Sequence, residues 1–237
     1  MMKKTYIIFA GVITMMVSLN SYAQTGNTAK CETKTAAKSK SDPDVKAEQF
    51  VAALNLTDTA KASQVKAIIT THLTAVRDWH NNHAYTLVPE GLNPITGKTF
   101  TKADRQFIVD STIPKTVHET LIAGLRQCLN DDQVELILDK YTIGKVAFTM
   151  NGYKSIVPDM KPAEEAFILT NLKQAREQAI DYKNVEEIST VFKIYKTKIE
   201  DYFNNNGRNW KVMYKTYVDQ VLAKKAGDKN APAADKD

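Results

Sequence analysis

Cysteine is nearly absent: Cys31 and Cys128 are the only two in 237 residues. That excludes a disulfide scaffold, and two thiols without neighbouring histidines make a poor metal site. One bond between them, pinning the amino-terminal stretch to the rest, is the most an oxidising compartment allows, and the sequence leaves the paired and the free state open. Glycine and proline are scarce as well, nine and seven, which disfavours many short strands and points to helices rich in Ala, Lys, Leu and Glu. No Gly-rich phosphate loop, nucleophile elbow or dense ligand cluster occurs, so neither a metal nor a cofactor is expected. The one long apolar run, Tyr6 to Leu19, is too short for a retained span, and no membrane span is expected in the mature chain.

That run has another reading. Lys3 and Lys4 precede it, and Ser21-Tyr22-Ala23 supplies the small residues a signal peptidase reads, so residues 1–23 are expected to be a signal peptide. The mature chain is then soluble and periplasmic or secreted. No cysteine stands at the cleavage point, which argues against a lipid anchor. Residues 24–41 and 227–237 are small and polar without apolar periodicity, and are expected to form a flexible leader and tail. Of 32 Lys and Arg, two fall in the signal, four in the leader and two in the tail, leaving 24 against 23 acidic residues. The part between is nearly neutral despite a pI near 9.0, so nucleic acid is not an expected partner.

Residues 42–226 have the size of one helical domain. Asp42-Pro43-Asp44 opens a short helix to Leu54, and Leu56-Thr57-Asp58 starts a longer one reaching His83. On the second, His80 and His83 are one turn apart, while His72 lies about 12 Å from His80 along the axis and cannot share a first coordination shell. From Ala84 to Thr101 the periodicity stops, with Pro89, Gly91, Pro94 and Gly97. Tyr85 to Val88 and Lys98 to Phe100 are candidates to pair as a hairpin. Helix resumes at Ala103, breaks near Pro114 and continues from Thr116 to Leu129, and Asn130-Asp131-Asp132-Gln133 caps the next, to Tyr141. Thr142 to Pro158 reads equally as a short strand or a Gly-weakened helix. Pro162 to Tyr217 reads as three helices, broken near Asn184 and stopped at Gly207. The expected fold class is all-α: a single antiparallel bundle of six to eight helices with one long irregular loop after the second.

Within Pro162 to Tyr217, Arg176 falls in the apolar stripe of Ile168, Leu172, Ala175 and Ala179. A guanidinium facing the core is costly alone, so a carboxylate or carbonyls from another helix are expected to meet it, as a structural pair or as a ligand clamp. The following helix places Ile188, Val191, Phe192, Tyr195, Ile199 and Tyr202 on one face. Ala175-Arg176-Glu177-Gln178-Ala179-Ile180-Asp181, then Phe192 to Ile199 with Tyr195-Lys196, then Tyr202 and Gly207, resemble the most recognisable segment of a family of exported Bacteroidetes proteins of unknown function that carries a sugar-binding label. Asp139 to Thr142 and Tyr153 to Met160 are similar to its upstream segments. The chain departs from that pattern at Thr197, where the family has Gly, and at Glu200 and Asp201, where it has two Asn. The resemblance implies a role beside polysaccharide-degrading enzymes and carries no catalytic residue.

Three classes of function follow. The first is a carbohydrate-binding accessory protein in polysaccharide utilisation, with an oligo- or polysaccharide partner. The second is a chaperone-like module binding other periplasmic proteins, and the third a hydrolase or lyase acting on a polysaccharide. No carboxylate pair stands out by spacing, which weighs against an enzyme. Shape separates the first two: a chaperone needs an exposed apolar concave face, a sugar binder a polar-rimmed cleft. The expected ligand-binding residues are Trp79, His80, His83 and Tyr85 where the long loop meets the second helix, with Arg176, Tyr195 and Lys196 from the family-like segment. No catalytic residue is assigned.

Overall fold

The computed structural model describes residues 42–94 and 96–230 of the chain. The stretches expected to be signal peptide and leader, with Cys31, and the expected tail beyond Asn230 lie outside them. Nine α-helices are found among the described residues: α1 Asp42–Ala52, α2 Thr59–Asn82, α3 Lys102–Asp110, α4 Lys115–Cys128, α5 Asp131–Tyr141, α6 Lys145–Ile156, α7 Pro162–Ala179, α8 Val185–Asn205 and α9 Trp210–Asn230. The fold is all-α, as expected, with one helix more than the upper count, and α9 runs four residues into the stretch read as tail. None of the described helices is long and apolar enough to cross a membrane.

The helix starts are written locally. The Asp58 carboxylate accepts from Ala60 and Lys61 N–H, and Asn130 with Gln133 closes a capping box on α5. Asn184 and Glu187 do the same on α8, a pairing that returns below because Glu187 faces inward. Residues 145–156 settle as helix because Val146, Met150, Tyr153 and Val157 recur at helical spacing and are all buried against α7 and α8. The strand alternative loses to that stripe.

One turn is strained. Ile143 has φ 57° and is 66% exposed, just before Gly144 at φ 65°. A β-branched residue in the left-handed region costs on the order of 1 kcal/mol, and Ile143 buries too little to compensate. Ile143→Asn is therefore expected to stabilise the chain by about 1 kcal/mol in urea unfolding; an unchanged or lower midpoint would contradict this.

The buried apolar residues form two cores. Val65 and Ile69 of α2, Leu121 and Leu125 of α4, and Ile137 and Leu138 of α5 centre the first. Ile168 and Leu172 of α7 with Val191, Ile199 and Phe203 of α8 centre the second. Helices α2 and α4 approach closely at Gly124, where an added Cβ would lie 3.1 Å from Ile68. Cys128 is a half-buried free thiol packed on the first core.

The long loop differs from its expected form. Tyr85–Leu87 is a 3-10 turn, and the bridge to Thr99 comes from Leu92 instead. The Asn93 N–H donates to Lys98 O at 2.8 Å and the Phe100 N–H to Gly91 O at 2.9 Å. The hairpin is thus shorter and begins later, because Tyr85 is drawn away. Arg105 of α3 lies over its ring at 5.1 Å and donates Nε to Val88 O at 2.7 Å, clamping the loop to α3.

Candidate functional site

The carboxyl ends of α3 and α7 and the amino ends of α4 and α8 converge on the second half of α2, and side-chain hydrogen bonds join them. His72 and His80 come from α2, Asp110 from the last turn of α3 and His118 from the first turn of α4. Glu177 and Asp181 come from the end of α7 and Glu187 from the first turn of α8. All but His72, which is buried mid-helix on the apolar face of α2, stand at or just beyond a helix end, where the chain presents polar groups without interrupting an apolar stripe. Three of the four histidines stand here among four carboxylates.

Asp181 is the hinge of one half. Its Oδ1 accepts from His72 Nε2 and its Oδ2 from His118 Nδ1, both at 2.9 Å, so a single carboxylate ties α2 to α4. The second ring nitrogen of His118 meets Glu177 Oε1 at 3.1 Å. Hydrogen bonds to Asp181 and then Glu177 outweigh burial and raise the His118 pKa from 6.5 to about 10, which keeps the ring an imidazolium. Burial pushes the Asp181 carboxyl up, but the His118 and His72 hydrogen bonds together hold it below its ordinary value.

The other half is His80, Asp110 and Glu187. His80 Nδ1 stands 2.6 Å from Asp110 Oδ2 and 3.7 Å from Glu187 Oε1. Burial, with Asp110 alongside, lifts the Glu187 pKa to about 7. Tyr182 lies near all these acids: burial and then Glu187, Asp110 and Asp181 push its hydroxyl pKa well up. Its ring stacks on Phe107 at 4.8 Å, which joins the polar zone to the second core.

The zone opens to solvent through a cleft of about 240 Å3. Buried Asp110 and Tyr182 make its deep side; exposed Lys115, Glu119 and Gln178 make its rim, with His118 and Asp181 between. Its lining offers donors and acceptors together. A second opening of about 350 Å3 lies by the ends of α6 and α9, but its charged groups are spent on one another. There Arg208 bonds Asp159 at 3.0 Å and Glu164 at 2.7 Å.

The residues named from sequence fall in three places. Trp79, His80, His83 and Tyr85 stay together at the end of α2, but as supports. Trp79 donates Nε1 to Val109 O at 3.4 Å and stacks on His83 at 3.7 Å, while Tyr85 sits under Arg105. His80 alone joins the polar zone. Arg176 faces α5, where Asp139 and Glu135 meet it at 2.7 and 2.8 Å; this is the carboxylate partner expected for a core-facing guanidinium. Tyr195 packs on the second core under Lys198, and Lys196 is exposed beside it on α8. None of the seven lines the cleft, and the long loop does not border it. Helix order separates them: α5 lies between Arg176 and solvent, and Tyr195 is more than two turns beyond Glu187.

His118, Asp181, Asp110 and Glu187 were not singled out by sequence reasoning. One signal did exist. The charged residues of the Ala175 to Asp181 segment are Arg176, Glu177 and Asp181, and all three make contacts to other helices. No curated protein matches the chain. A family model described as a protein of unknown function, DUF3826, matches residues 40–223, which contain every helix end of the polar zone, and the chain belongs to that family.

Proposed function

We propose that this chain is an exported binding protein for a small polyhydroxylated ligand, of carbohydrate type, seated in the cleft between the α3–α4 turn and the end of α7. The observation that carries the reading is the lining. A space of about 240 Å3 suits one or two sugar rings' worth of groups rather than a polypeptide, and eight of its ten lining residues carry hydrogen-bonding side chains beside apolar surface on which a ring can lie. Sugar hydroxyls both donate and accept, and here Asp110, Asp181 and Glu119 accept while Lys115 and Gln178 donate. The sugar-binding label of the family that the sequence resembles points the same way.

The test uses a glycan array followed by calorimetry on the mature chain. Lys115→Ala, Glu119→Ala and Gln178→Ala are rim changes expected to leave the fold intact and to weaken a captured glycan at least tenfold, about 1.4 kcal/mol. Unchanged affinity in all three folded variants would remove the cleft as the binding site. Trp79→Ala and Tyr85→Ala serve as the contrast, since neither side chain lines it.

A further inference from the structure

We propose that His80 Nδ1, Asp110 Oδ2 and Glu187 Oε1 form a binding site for one divalent first-row transition cation, of the Zn2+ or Mn2+ class. The three ligand atoms lie within 4.8 Å of one another and come from α2, α3 and α8. One imidazole and two carboxylates are the donors such ions take, and a three-ligand set leaves coordination positions for water.

Charge gives the first physical reason. Asp110 and Glu187 are 3% and 8% exposed and face one another. Among the described residues no lysine or arginine forms an ion pair with either; His80 is their one basic partner. Two interior carboxylates set side by side are costly without a cation. Asp110 also sits in the last turn of α3, where the helix dipole already disfavours an acid.

Orientation gives the second. Gln106 Nε2 donates to Asp110 Oδ1 at 3.0 Å, and the Asn184 N–H donates to Glu187 Oε2 at 3.3 Å. Each carboxylate therefore has one oxygen held by a neighbour and the other turned to His80, the outer arrangement that fixes metal ligands. Gln106 is itself fixed by His83 O at 2.9 Å.

The distances are compatible. Ligand arms of 2.0–2.2 Å at tetrahedral angles need ligand atoms roughly 3.3–3.6 Å apart. Nδ1 to Oε1 is already 3.7 Å, and Nδ1 to Oδ2 must open from 2.6 Å by about 1 Å or less. Asp110 lines the cleft, which gives the ion its route and room for bound water.

The neighbouring cluster does not compete. Both ring nitrogens of His118 already face carboxylates, so it has no free lone pair to offer. The inference shares Asp110 with the carbohydrate reading but does not rest on it, and a chain that binds the ion but no glycan, or the reverse, tells the two apart.

The test is titration of chelator-treated full chain with ZnCl2 and MnCl2 by calorimetry, followed by thermal unfolding with and without the ion. One equivalent should bind and raise the thermal midpoint. Glu187→Gln and His80→Gln should each weaken binding by tenfold or more and abolish the midpoint rise, while His83→Gln, whose ring stacks on Trp79, should not. His80→Gln keeps the test decisive should Glu187→Gln fold poorly. Absence of saturable binding by the unaltered chain would overturn the proposal, and so would affinity indifferent to both substitutions.

Discussion

Replacing Glu135 and Asp139 together by alanine is expected to destabilise the chain by about 3–5 kcal/mol, the usual cost of leaving an interior charge without its partners. Arg176 is 2% exposed, and among the described residues these two carboxylates supply every ion pair it makes. Its Nε has no partner even in the intact protein. Burial works against the guanidinium, and only the Asp139 and Glu135 hydrogen bonds keep its pKa above the ordinary value.

The reverse deletion is expected to cost less. The Asp139 and Glu135 side chains are 36% and 41% exposed, so water can take over their solvation once the guanidinium is gone. Arg176→Met, which keeps the volume beside Leu172 and Ala175, should therefore cost under about 1.5 kcal/mol. Urea unfolding of the double variant and of Arg176→Met gives both numbers. Equal losses would show that packing around Arg176, and not its charge, dominates.

The second large effect is expected at Asp181. Asp181→Ala leaves the His118 imidazolium with Glu177 alone and strips the buried His72 ring of its hydrogen bond. About 3 kcal/mol should be lost at neutral pH, the low end for a broken buried pair, because His118 is 25% exposed and partly screened. The pH profile separates this from a packing defect. The folded pKa of His118, about 10, stands above its ordinary 6.5, so its contribution is complete below pH 6.5 and is lost as pH rises from there to about 10. Asp181 is shifted the other way, and its contribution is lost only as pH falls below its ordinary 3.8.

Glu187, raised from 4.5 to about 7, makes stability fall as pH rises through that window, so the intact chain should be most stable near about pH 4 and weaken steadily toward pH 10. Asp181→Ala should flatten most of the slope above about pH 7, which belongs to His118. A variant that unfolds more easily yet keeps the full slope would mean that the interaction with Asp181 does not set the charge on His118.

How much of this could be read in advance depended on whether the cause was local. Helix starts at Asp58, Asn130 and Asn184 are properties of three or four consecutive residues, so they were legible. The inward direction of Arg176 was legible as well, since 100° per residue fixes a face before any partner is known. Periodicity was also present in residues 145–156, but β-branched composition masked it.

The hairpin register was not legible, because Arg105 competes for Tyr85 and Val88 from another helix. Nor was the polar zone: His80, Asp110 and Glu187 are far apart in sequence, and so are His72, His118 and Asp181. Their meeting depends on how α3, α4 and α8 are ordered and rotated around α2, and each of those rotations is decided by packing of the two apolar cores. The sequence by itself determined most of the helices, their capped starts and the inward face of Arg176, since those follow from dihedral preference and side-chain period. Only the tertiary structure decided which inward polar groups face one another, because a charge finds its partner through the order of the helices and not through its neighbours along the chain.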